Sequence, residues 1–163
     1  MPTRIAVVRR VSSRATAFAV LMLMAGCGAS DSVSVAAQRA KDRAREDAQI
    51  MARTVGDTLH DANAPHGKAL LDLVVRPFRD SGGFRIFATN VSTGDAITVD
   101  AAIDAGGQSD GFAPAHVLGR LCVRLSGVRA NADVTLSDVR CADSLPPVIK
   151  GTADRVIAIH LHD

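Results

Sequence analysis

The chain has no tryptophan and no tyrosine, and only five phenylalanines among 163 residues. Carbohydrate and nucleobase pockets, and the anchors of tight interfaces, rest heavily on aromatic rings. Their scarcity disfavours a carbohydrate or nucleobase site. Lysine is also scarce: Lys41, Lys68 and Lys150 stand against 16 arginines. With plentiful alanine and valine, that is the bias of a GC-rich genome, as in actinomycetes. Long apolar runs are missing. The segment from Ala15 to Ala25 holds 11 residues, whereas a helix needs roughly 20 to cross the hydrocarbon core. No Asp or Glu occurs before Asp31.

What the first residues do contain is ordered. Arg4, Arg9, Arg10 and Arg14 form a basic start, the apolar segment 15–25 follows, and Gly26 and Cys27 close it. This is the n-region, h-region and small-residue boundary of an export signal. Arg9-Arg10 runs into Val11-Ser12-Ser13 and reads as a plain basic n-region. Met24-Ala25-Gly26-Cys27 resembles the lipobox of bacterial lipoproteins, with Met24 where that family usually has leucine. The resemblance covers residues 1–27. It implies a diacylglycerol thioether on Cys27, cleavage before that residue, and a domain held at the cell membrane, facing outside the cytoplasm. Two acyl chains, at about 0.8 kcal/mol per buried methylene, suffice for stable attachment, so no other contact with the bilayer is required. Beyond this covalent lipid no cofactor is expected.

Removing residues 1–26 leaves 137 residues, enough for one domain with its own core. The four arginines of that segment go with it. The balance becomes 15 basic against 17 acidic side chains, a net charge of −2. Neither a basic surface nor a basic cluster with interleaved aromatics remains, which argues against nucleic acid as a partner. The mature part keeps Cys122 and Cys141. In an oxidising compartment an isolated pair is most simply a disulfide. Free thiols are the alternative, and the lack of companion ligands at that spacing argues against a metal.

The mature chain divides into a tether, 27–32, and a single domain, 33–163. Ala37, Ala40, Ala44, Ala48, Met51, Val55 and Leu59 recur at steps of three and four and predict a helix over 33–62. Ser30, Asp31, Ser32 or Ser34 would cap its start, and Asn63-Ala64-Pro65 would end it. Arg39, Lys41, Asp42, Arg43, Arg45, Glu46 and Asp47 read as a solvated face. The alanine stripe allows close approach to a sheet or another helix; packing on its own domain is expected, and a coiled coil with an envelope protein partner is the alternative. Strands are predicted at 70–76, 84–90, 96–102, 120–125, 133–139 and 156–161, with a turn at 92–95 and a loop at 105–114. The expected fold class is α+β: one long N-terminal helix followed by an antiparallel meander of four to six strands.

Candidate chemistry is thin. Asp80-Ser81-Gly82-Gly83 resembles the serine-nucleophile motif of chymotrypsin-like proteases, with Arg79 where that family has glycine and with His60 and His66 upstream. A loop uses the same residues for turns, and the chain is too short for two barrels. His160 and His162 would share a face if the final strand continued through them, and His116 would add a third ligand from another strand. Two ligands rarely make a natural site. Asp72, Asp80, Asp95, Asp100, Asp104, Asp110, Asp133 and Asp138 are scattered, without a signature spacing for acid–base work. The sequence thus points to a non-enzymatic binding or structural module of the cell envelope. The competing reading is a small secreted metal-binding protein or hydrolase that uses the histidines.

Overall fold

The computed structural model describes residues 15–162 except 80, 130–132, 149–150 and 152, with side chains described from Asp31 onward. Helix α1 spans Ala15–His60 and α2 spans Lys68–Arg79. Five strands follow: β1 (Phe84–Val91), β2 (Ala96–Gln108), β3 (His116–Val128), β4 (Val134–Asp138) and β5 (Arg155–Ile159). They form one sheet, and both helices pack on the same face of it. The expected α+β class holds.

Helix α1 lies over β2 and β3. Its buried side chains are Ala36, Ala40, Ala44, Ala48, Met51, Val55 and Leu59. The predicted stripe is correct but for its first member: Ala36 is buried and Ala37 only half-buried. Both positions lie one turn before Ala40, and the sheet sits on the Ala36 side. There Gly107 of β2 meets the helix backbone; a Cβ on Gly107 would stand 2.0 Å from the Ala36 carbonyl oxygen and 2.5 Å from the Ala40 nitrogen. Alanine above and glycine below let the two backbones touch. Towards the other end Met51, Val55 and Leu59 fill a wider gap together with Ile97, Val99, Val123 and Leu125. The helix ends at His60, and its start lies upstream of Val33. Ser34 is no cap: its hydroxyl donates to the Asp31 carbonyl one turn back.

The segment 70–76 is helical, not a strand. Leu70, Leu71, Val74, Val75 and Phe78 are all buried. That spacing, pairs repeated every four residues, is the apolar face of a helix. Reading only the continuous run from Leu70 to Val75 hides the period, because Phe78 completes it. Pro77 does not break this helix until two residues later. It sits in the last turn, where the hydrogen bond it forgoes is among the last of the helix. Helix α2 covers β1, where Phe78 meets Phe84 at a ring separation of 5.4 Å.

Strands β1 to β4 form an antiparallel meander in that order. Residues 105–108, expected in a loop, extend β2 and pair with β3 from Ala105↔Gly119 to Gln108↔His116. Gly107 in that stretch serves close approach rather than a turn, because α1 presses on it there. The last strand departs from the meander: β5 runs parallel to β3, pairing Val117–Leu121, while β4 pairs Val123–Gly127 on the same edge. Two short strands thus share one long edge end to end.

Candidate functional site

Cys122 occupies the position between those two pairings, after Leu121↔Ile159 and before Val123↔Asp138. It is bonded to Cys141, with a Cα–Cα distance of 5.4 Å. Its carbonyl also accepts from the Val139 amide at 3.1 Å. The expected disulfide is present, at the open end of the β3–β4 hairpin. It fastens the chain where the edge of β3 changes partner.

On the sheet face away from the helices, Arg120 donates to both oxygens of Asp104 at 2.6 and 2.8 Å. Arg124 does the same to Asp100 at 2.7 Å. Both are directly opposed cross-strand pairs, and Ala102↔Cys122 lies between them. Arg120 also donates to the Pro146 carbonyl at 2.7 Å. The chain after Cys141 is thereby drawn over this face, and Ala102 and Cys122 are buried beneath it. These two aspartates, scattered in sequence, serve as partners for arginines, each pair bidentate and hydrogen-bonded. Arg85 approaches Asp104 at 3.5 Å from β1.

A second polar cluster was not visible in the sequence. Asp95, in the β1–β2 turn, has a left-handed backbone with φ of 56°. Its carboxylate accepts from the Gly67 amide at 2.8 Å and is held by His66 Nδ1. Arg129, just past β3, lies 3.6 Å from the same carboxylate and donates to the carbonyls of Asp61, Ala62 and Pro65. The Gly67 amide does most to hold the Asp95 carboxyl below the ordinary aspartate range. Burial opposes it, and His66 and Arg129 add to it. The cluster joins the α1–α2 connection to the turn and to the end of β3. Only the turn position of Asp95 carried a signal in the sequence.

The other candidates separate. Ser81 follows α2, where its hydroxyl donates to the Pro77 carbonyl at 2.8 Å. His66 precedes α2 and engages Asp95. A 12-residue helix, about 18 Å long at 1.5 Å per residue, lies between them. Asp80 lies outside the described residues. His160 and His162 fall beyond the end of β5 at Ile159, so the face-sharing of a strand does not apply to them. The His160 carbonyl accepts from Arg45 at 3.0 Å. His116 begins β3, and its backbone amide donates to Asp154 at 2.7 Å. Among the described residues no three His, Cys, Asp or Glu side chains converge as metal ligands would.

From Asp31 onward, the exposed large apolar side chains of α1 are Val35 and Ile50, which stand apart from the alanine stripe. Its alanine stripe is covered by the sheet, and part of the face read as solvated reaches the protein. Arg39 and Arg43 donate to the carbonyls of Gln108 and Gly106, on the edge of β2 that β1 leaves unpaired beyond Ile103. An open depression of about 560 Å³ runs between α1 and β4, lined by Gln49, Arg53, Asp57, His60, Asp133 and Leu136 among others. It brings together charged side chains of both signs. Cys27 lies within the bounds of α1, and its side chain is outside the described part. Among the described residues no helix is long and apolar enough to cross a membrane.

Comparison with known proteins returned nothing: no family model, no curated protein and no solved structure matches this chain.

Proposed function

We propose that the protein is a lipid-anchored lipoprotein of the cell envelope, held at the membrane by diacylglycerol on Cys27, with its domain outside the cytoplasm as a non-enzymatic binding or structural module. The observation that carries this reading is Met24-Ala25-Gly26-Cys27 at the end of a short apolar segment. The Cys122–Cys141 disulfide supports it, since such bonds persist in oxidising compartments. The non-enzymatic part rests on chemistry: the carboxylates of Asp95, Asp100, Asp104 and Asp110 and the His66 ring are engaged in structural pairs. A partner protein would meet the outer face of the 33–62 helix or the depression beside β4, because the alanine stripe is already used.

The test is metabolic labelling with an alkyne fatty acid in a lipoprotein-processing bacterial host. The wild-type chain should take up label and sediment with membranes. Cys27→Ala should lose both. Label-free wild type, or membrane retention of Cys27→Ala, would overturn the reading.

A further inference from the structure

The end of the domain that receives α1 from Cys27 carries a loop with an unusual exposure. Ser109 and Ala115 close its neck: the Ser109 amide donates to the Ala115 carbonyl at 2.9 Å, and the Ala115 amide donates to the Ser109 hydroxyl at 2.8 Å. Both residues are buried. The tip, Gly111-Phe112-Ala113-Pro114, has no charged side chain. Phe112 is fully exposed, at 109% of its reference area, while the next most exposed large apolar side chain described, Ile50, reaches 45%. The one charge at the base, Asp110, is neutralised by Arg39 at 2.7 Å, and Arg39 also donates to Gln108. The loop is thus tied to the first described turns of α1. Gly111 has φ of 121°, a conformation that glycine allows.

The heights agree. Gly107 touches α1 at Ala36. Nine residues separate Ala36 from Cys27, about 14 Å on a helical backbone. Five residues separate Gly107 from Phe112, a reach of at most about 17 Å when extended. Strand β2 runs from the Leu59 end of α1 towards the Ala36 end, so both reaches point the same way.

Resting on the lipid-anchor reading above, we propose that Phe112 is a membrane-interface wedge: the loop 109–115 inserts its ring among the headgroups and acyl boundary of the bilayer that holds the Cys27 lipid. The lipid supplies attachment, and the wedge supplies orientation, fixing the sheet ends and the depression beside β4 relative to the membrane plane. An aromatic ring on an uncharged tip suits that interface. The tip is pre-formed by its neck, so insertion orders little further chain.

The absence of tryptophan makes the test direct, because Phe112→Trp introduces a single fluorophore. The full chain is produced in a lipidating host and reconstituted into phosphatidylethanolamine–phosphatidylglycerol vesicles. Flotation reads the anchor, and fluorescence reads the loop. The expected result for Phe112→Trp is flotation with blue-shifted indole emission that bromine-labelled acyl chains quench. Thr93→Trp, in the turn at the far end of the sheet, should float equally and keep the emission of a water-exposed indole. Floated Phe112→Trp protein whose emission matches that of the unlipidated double variant Cys27→Ala, Phe112→Trp in detergent-free solution would overturn the wedge and leave the anchor standing; a ring kept for a protein pocket gives this result. A blue shift in the Thr93→Trp variant instead would overturn the orientation. Failure to float would refute the anchor and the wedge with it.

Discussion

Replacing Gly107 by alanine should be among the most damaging single-methyl additions to this domain. Its new Cβ would fall 2.0 Å from the Ala36 carbonyl oxygen and 2.5 Å from the Ala40 nitrogen. Relief requires α1 to move by roughly 1 Å or more relative to β2, given ordinary van der Waals separations, and all the alanines that pack beside it move too. Both clashing atoms are backbone, so no rotamer change and no second side-chain substitution removes the conflict. Overpacking a core typically costs about 1–3 kcal/mol; a backbone clash belongs at the top of that range, about 3 kcal/mol. With a urea dependence of roughly 1.5 kcal/mol/M, the unfolding midpoint should fall by about 2 M. Gly106→Ala is the matched control. It points to the opposite face, where the nearest atoms are Leu118 Cδ2 at 3.3 Å and His116 Nε2 at 3.5 Å, both on side chains that can yield. Its effect should stay within about 0.5 kcal/mol, since losing glycine's unfolded-state freedom is itself stabilising. If urea titrations place the two variants within about 0.5 kcal/mol of each other, inside ordinary additivity error, backbone contact between α1 and β2 is not what seats the helix.

Two further outcomes follow from the polar and covalent ties. Cys122→Ala with Cys141→Ala, or reduction of the native bond, should cost about 3 kcal/mol for a loop of this length, seen as a drop of roughly 10 °C in the melting temperature; an unchanged melt would mean the bond constrains nothing that the β3 edge does not already hold. Asp95→Asn keeps the left-handed backbone and the acceptor for Gly67 but removes the charge facing His66 and Arg129. Because the folded-state carboxyl titrates below its unfolded value near about 3.9, its contribution is complete above that pH and fades as pH falls through the lowered folded value. The variant should therefore have a lower urea midpoint at about pH 7 and converge with wild type in acid; equal midpoints at neutral pH would refute the cluster's role.

Much of the fold was legible because it is written in local periodicity. The steps of α1, the alternation of β1 and the turn at 92–95 each need only neighbours in sequence. The failures share a cause. Residues 70–76 look extended until Phe78 completes the helical period. Residues 105–108 look like a loop because Gly107 serves a helix that is far away in the chain. The parallel pairing of β5 needs the edge left open by the shortness of β4, which no local pattern records.

The candidate chemistry divided along the same line. Asp100, Asp104, Arg120 and Arg124 were individually visible, but only register places them opposite each other. His66, Asp95 and Arg129 meet because three chain segments converge at one end of the sheet.

The sequence by itself determined the motif at Cys27, the spare pair of cysteines, the alanine stripe and the fold class, since each is a statement about residue type and spacing. Tertiary structure alone decided which glycine the helix rests on, which aspartates are paired, and at which end of the domain Phe112 stands exposed. Those depend on distances between residues far apart in the chain, and such distances exist only once α1 has settled on the sheet.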